Sequence, residues 1–104
     1  MIEDLRARFL PAFVAAARER IVHALESLST GRKPDAGLVA RELHALAGEA
    51  AVLGVGEVAT LARQGEAAAR RWCASGNLED EAACARSLYS LTGQVETLAA
   101  RIAR

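Results

Sequence analysis

At 104 residues the chain fits one domain, spanning 1–104, with one modest core. It is 52% hydrophobic but only 4% aromatic, and its apolar set is dominated by Ala and Leu, which favours helices over sheets. Its 13 basic and 13 acidic residues give a formal net charge of +0, which argues against nucleic acid as a partner.

The opening Met1-Ile2-Glu3-Asp4-Leu5-Arg6 places acids first and lacks the apolar run of a signal peptide. Leu5, Phe9, Phe13, Ala17, Ile21, Leu25 and Leu28 make a first helical stripe, interrupted by Pro11. Proline breaks a helix interior but fits a first turn, so the expectation is a short cap helix over about 2–9 and a longer helix over about 11–29. Ser29-Thr30-Gly31-Arg32-Lys33-Pro34 reads as a polar loop and Asp35 as the next N-cap. Val39, Leu43, Leu46, Ala50 and Leu53 then form a core seam on a helix over about 36–53. Gly54 and Gly56 mark a tight connection. A third helix follows over about 57–73, with Val58, Leu61, Ala62, Gly65, Ala69 and Trp72 inward. Gly76 suits a C′ position and Asn77 the following N-cap. Glu79, Asp80 and Glu81 load the first turn of the last helix, which carries Cys84, Leu88, Leu91, Val95, Leu98 and Ile102 on its seam.

Four long amphipathic segments joined by short loops imply an all-α fold, an antiparallel up-down four-helix bundle with a short N-terminal cap helix. No apolar run approaches the ~18 residues of a membrane span, so no membrane partner is expected. Cys73 and Cys84 are too few and too irregularly spaced for a disulfide scaffold or a zinc site, and a cytoplasmic location with reduced thiols is the simplest reading. With four core seams and one exposed histidine face, a monomer is expected; an apolar outer face at Ala15-Ala16-Ala17 would contradict that.

The residue that stands out is His44. At 3.6 residues per turn, His44 and Gly48 point roughly 130–180° away from the Leu43/Leu46 seam, so the imidazole should be exposed. Its helical neighbours are Gly37, Ala40, Arg41, Ala47, Gly48 and Ala51, nearly all small. Gly48 costs about 1 kcal/mol relative to Ala inside a helix and lies opposite the seam, so internal packing explains it poorly. Four roles for His44 compete. A surface histidine without a role, as His23 looks to be, ignores this pattern. A metal or haem ligand would need a Glu-x-x-His pair, and Arg41 stands where the Glu belongs. A general acid or base would need a cleft and a nucleophile motif, and neither is evident. A phosphoryl carrier fits best: imidazole, with an ordinary pKa near about 6.5, is a good nucleophile when neutral. A bare helix face also lets a partner's active site close over it for in-line transfer.

His44-Ala45-Leu46-Ala47-Gly48, with Leu53-Gly54 after it, resembles the motif of the histidine phosphotransfer (HPt) domain family: His-x-Leu-Lys-Gly, then an apolar residue and Gly at the helix end. The resemblance extends along the chain, with Glu66 and Arg70 falling where the family often has a polar or acidic residue and then a basic one. It implies that His44 carries a phosphoryl group between receiver-domain aspartates of a two-component phosphorelay. The partners implied are response-regulator receivers and hybrid histidine kinases. Gly48 would leave room for the receiver, with Gly37, Ala40, Ala47 and Ala51 forming the docking face. No cofactor is implied for the chain itself, because the Mg²⁺ for transfer belongs to the receiver, and no independent enzyme activity is implied. The family's Lys is Ala47 here. Arg41, one turn before His44, is the first candidate to replace its charge, with Arg63 and Arg70 on the next helix as others. The alternative is an HPt-like adaptor that binds a receiver or kinase without accepting phosphate.

Overall fold

A computed structural model describes the backbone of residues 2–30 and 35–103 and the side chains of residues 4–30 and 35–103. Four helices account for nearly all of it: α1 (Ile2–Ser29), α2 (Ala36–Val52), α3 (Gly56–Ser75) and α4 (Leu78–Ile102). There is no strand among the described residues. The helices pack in a ring, α1 on α2, α2 on α3, α3 on α4 and α4 back on α1. The 4/3 seams read from the sequence meet in one apolar cluster, with Val39, Leu43, Leu46, Val58, Leu88, Leu91 and Val95 fully buried. Each helix offers one apolar stripe, and only a closed ring of four covers every stripe at once.

The N-terminal expectation is corrected. There is no separate cap helix: α1 runs unbroken from Ile2 to Ser29 with Pro11 inside it. Pro11 lies on the solvent side, as does Ala7, whose carbonyl loses its intrahelical donor. On that side the orphaned carbonyl is not desolvated, so the helix tolerates the proline. The stripe of α1 is also displaced. Leu10, Phe13, Val14, Ala17, Ile21 and Ala24 are buried, whereas Leu5 and Phe9 are about half exposed, at 52% and 53%. At 1.5 Å per residue α1 is about 42 Å long and α2 about 26 Å. The first turns of α1 therefore extend along the end of α2, where few side chains remain to cover them. Arg6 ties this extension down, its Nε donating to the Leu53 carbonyl at 2.7 Å.

The connections follow their sequence signals. After α2, Gly54 takes a left-handed φ of 71°. Its N–H donates to the Ala51 carbonyl and that of Val55 to the Ala50 carbonyl, closing a Schellman motif. This turn leads α2 into α3 within three residues. Gly76, at φ 70°, ends α3, and Asn77 caps α4, its side-chain oxygen accepting from the Glu79 N–H at 2.8 Å. Asp35 stands at the N-cap position of α2 but makes no side-chain cap bond; its carboxylate instead accepts from Thr30 Oγ1 at 2.5 Å. The middle of the expected polar loop, residues 31–34, lies outside the described residues.

Candidate functional site

The phase of α2 puts Leu43 and Leu46 in the core and His44 outside it, with 74% of the imidazole exposed. Gly48 is exposed one turn later, and a Cβ there would meet nothing within 4 Å. Nothing inside the protein requires a glycine at 48. Arg41 and Ala51 are exposed on the same helix and Gly37 is half-buried.

Ala40 and Ala47 are corrected: both are buried, at 3% and 4% exposure, and neither is part of an outer face. Because α2 is flanked by both α1 and α3, its buried arc is wider than a narrow 4/3 seam and takes in the positions beside it. Ala47, where a Lys would stand by the HPt pattern, is therefore a core residue here.

Across the α2–α3 contact, Glu66 reaches His44. Nδ1 of the imidazole lies 3.2 Å from both Oε1 and Oε2. The carboxylate is itself held by Arg70, whose Nε and Nη2 donate to Oε2 at 2.9 and 2.6 Å. The Glu66 side chain is only 15% exposed. Partial burial pushes its carboxyl up, but the hydrogen bonds and charges of Arg70 and His44 together outweigh that and hold it below the usual carboxylate range. An ionised carboxylate can only accept, so Nδ1 is the nitrogen that carries the proton. In the neutral ring this leaves the lone pair on Nε2.

Glu66 as a working part of the site was missed from the sequence. It lies on a different helix, 22 residues away, and only the α2–α3 register brings it to His44. Arg63, one turn before Glu66 on α3, is exposed and makes no hydrogen bond or ion pair among the described residues. Arg41 donates from Nε to the Gly37 carbonyl at 3.3 Å on its own helix. Arg20 of α1 is committed to Glu49, at 2.8 Å from its Nε, and to Glu42.

Between α1 and α2 runs a groove of about 900 Å³ that begins at His44 and Gly48 and ends at Val52 and Leu53. Its α1 wall is Phe9, Ala12, Phe13 and Ala16, and its surface is almost wholly apolar. Val52 is 86% exposed. This groove was also missed from the sequence, because Phe9 was read into the core. A stripe set on Leu10 and Val14 instead would have turned Phe9 outward.

Elsewhere, Cys84 is buried and Cys73 exposed. Burial, with the Glu81 carboxylate nearby, pushes the Cys84 thiol up to about 11, which leaves it inert at neutral pH. Among the described residues no three His, Cys, Asp or Glu side chains gather as metal ligands. No described helix is long and apolar enough to cross a membrane.

No curated protein and no solved structure matches the chain. The family model of the Hpt domain does, over residues 8–104. Domains of this family serve histidine phosphotransfer in two-component systems, working with kinases and receiver domains. The match takes in α1 from residue 8 onward and all of α2, α3 and α4, including His44 on α2 and Glu66 on α3. The chain belongs to the Hpt domain family.

Proposed function

We propose that this chain is a phosphoryl carrier in which His44 accepts a phosphoryl group from the aspartate of one receiver domain and delivers it to another. The observation that carries this reading is the pairing of an exposed imidazole with an ionised Glu66 at Nδ1. In the accepting step the Nε2 lone pair attacks phosphorus, an N–P bond forms, and the P–O bond to the aspartyl carboxylate breaks. The electron pair of that bond leaves with the aspartate. The ring gains positive charge as it reacts, and the Glu66 carboxylate at Nδ1 offsets it. Delivery reverses each step.

The apolar groove beside His44 is the docking surface in this reading. A receiver presenting an apolar helix would fill it between Phe9 and Val52, with Gly48 and Ala51 giving clearance next to the histidine and Gly37 marking the far end of that face. The divalent cation used in transfer is assigned to the receiver. Arg41, Arg63 and Arg70 are the guanidinium groups assigned to the phosphoryl charge in place of a Lys at 47. The four helices are read as an up-down antiparallel bundle forming one domain over 1–104, which the three-residue α2–α3 and two-residue α3–α4 connections favour. A cytoplasmic monomer without enzyme activity of its own completes the proposal.

The test is incubation with receiver domains carrying labelled aspartyl phosphate. Acid-labile label should move to the wild-type chain and be absent from His44→Gln. Firm receiver binding by both proteins, with no label on either, would replace the carrier with the adaptor that holds its partner without accepting phosphate.

A further inference from the structure

Gly65 is the second glycine inside a long helix near the site, and it differs from Gly48 in being buried. A Cβ at 65 would sit 2.9 Å from Leu43 Cδ1 and 3.0 Å from Ser87 Cβ. Carbon atoms in good contact stand about 3.5–4.0 Å apart, so both approaches are closed to any side chain unless a helix or Leu43 moves. Leu43 Cδ1 is the tip of a flexible side chain, but Leu43 is fully buried, so it turns only against packed neighbours. Ser87 Cβ is fixed to the α4 backbone. On helix propensity alone the glycine is unfavourable against Ala.

The position of this close approach is informative. Leu43 precedes His44 on α2, and Gly65 precedes Glu66 on α3. The Leu43 side chain thus fills the space of a missing Cβ one residue away from the imidazole–carboxylate contact on both helices. That contact is 3.2 Å long, at the upper end of ordinary N–H···O distances. The Glu66 carboxylate cannot simply follow a receding His44. Arg70 holds it from within α3, and it is mostly buried.

We propose that Gly65 is a positioning residue: its missing side chain lets α3 approach α2 closely enough for Glu66 to hold His44 Nδ1 and leave Nε2 free. A side chain at 65 opens the approach by about 0.5 Å, which takes a 3.2 Å contact beyond hydrogen-bonding range. The role rests on the reading of His44 as phosphoryl acceptor, but the geometry it sets exists without any partner.

The test reads the His44 tautomer by long-range ¹H–¹⁵N NMR at alkaline pH, alongside the rate of labelling by a phosphorylated receiver. Wild type should show the Nδ1–H form. Gly65→Ala should shift the ring toward Nε2–H and slow labelling roughly tenfold. Leu43→Val in the Gly65→Ala background removes the α2 atom in the way, leaving only the Ser87 contact toward α4, and should restore both. An unchanged tautomer in folded Gly65→Ala, or a folded double variant that stays in the Nε2–H form, would overturn the proposal. If Gly65→Ala alone does not fold, the double variant decides by the same readout. Absence of labelling in wild type counts against the carrier reading alone, because the tautomer is measured without a receiver.

Discussion

Exposed His44 and mostly buried Glu66 meet across the α2–α3 contact, and the proposed transfer uses both. The exposure of His44 was legible in the sequence, because at 3.6 residues per turn it points well away from the Leu43/Leu46 side of the helix. The role of Glu66 was not, since a contact between α2 and α3 depends on register, and register is fixed by packing across the whole interface. Glu66→Gln keeps an amide oxygen in place but removes the charge, and its NH₂ can donate to Nδ1 and select the wrong tautomer. Labelling of His44 should fall roughly tenfold or more, with the helix content unchanged by circular dichroism. Gly48→Ala separates stability from docking. No atom of the protein lies near the new Cβ, so the thermal midpoint should rise, corresponding to about 0.5–1 kcal/mol, while affinity for a receiver measured by titration falls. Ala47 was read as part of an open face and is buried instead. A Lys introduced there must thread its stem out of the core before its charge can reach a phosphoryl group.

At the level of elements, the seams of α2, α3 and α4 were legible because each has a long run of 4/3 spacing. The two turns were legible from Gly54, Gly76 and Asn77, whose chemistry is local. Pro11 misled because a proline signal is local while its cost depends on exposure, which is a property of the folded bundle. With Pro11 on the solvent side of a continuous α1, Pro11→Ala restores an N–H donor for the Ala7 carbonyl. The variant should be more stable by about 1–3 kcal/mol in a urea melt. The opposite change is expected at the α2–α3 turn. Gly54→Ala forces a Cβ into a left-handed residue at φ 71° and should lower stability by about 1–2 kcal/mol in the same measurement. This turn also anchors Arg6, so the loss should be accompanied by faster amide exchange in the first turns of α1.

At the scale of the whole molecule, Glu66 and Glu96 lie below the ordinary carboxylate range, Glu66 because Arg70 and His44 outweigh its partial burial, and Glu96 through its ion pair with Arg18. A carboxylate with a lowered folded-state pKa contributes stability that is present above its unfolded-state value and lost as pH falls through the folded one. The bundle should therefore be more stable near pH 6 than near pH 3, with the decline setting in below about pH 5. Trp72, buried at 2% exposure, is the natural fluorescence reporter of that unfolding. The four-helix ring was legible from the sum of its seams, whereas the groove between α1 and α2 was not. It lies between the Phe9–Ala16 stretch of α1 and the C-terminal half of α2, and a gap between two helix faces is fixed only once the helices are side by side. In the proposed function, the groove and the histidine together define what the molecule meets. The most direct test of that claim is the intact mass of the chain after exposure to a phosphorylated receiver. The predicted result is a gain of one phosphoryl group on the wild type that disappears on acid treatment and never forms on His44→Gln. A gain that persists in His44→Gln, or no gain on the wild type with any receiver that binds the groove, would contradict it.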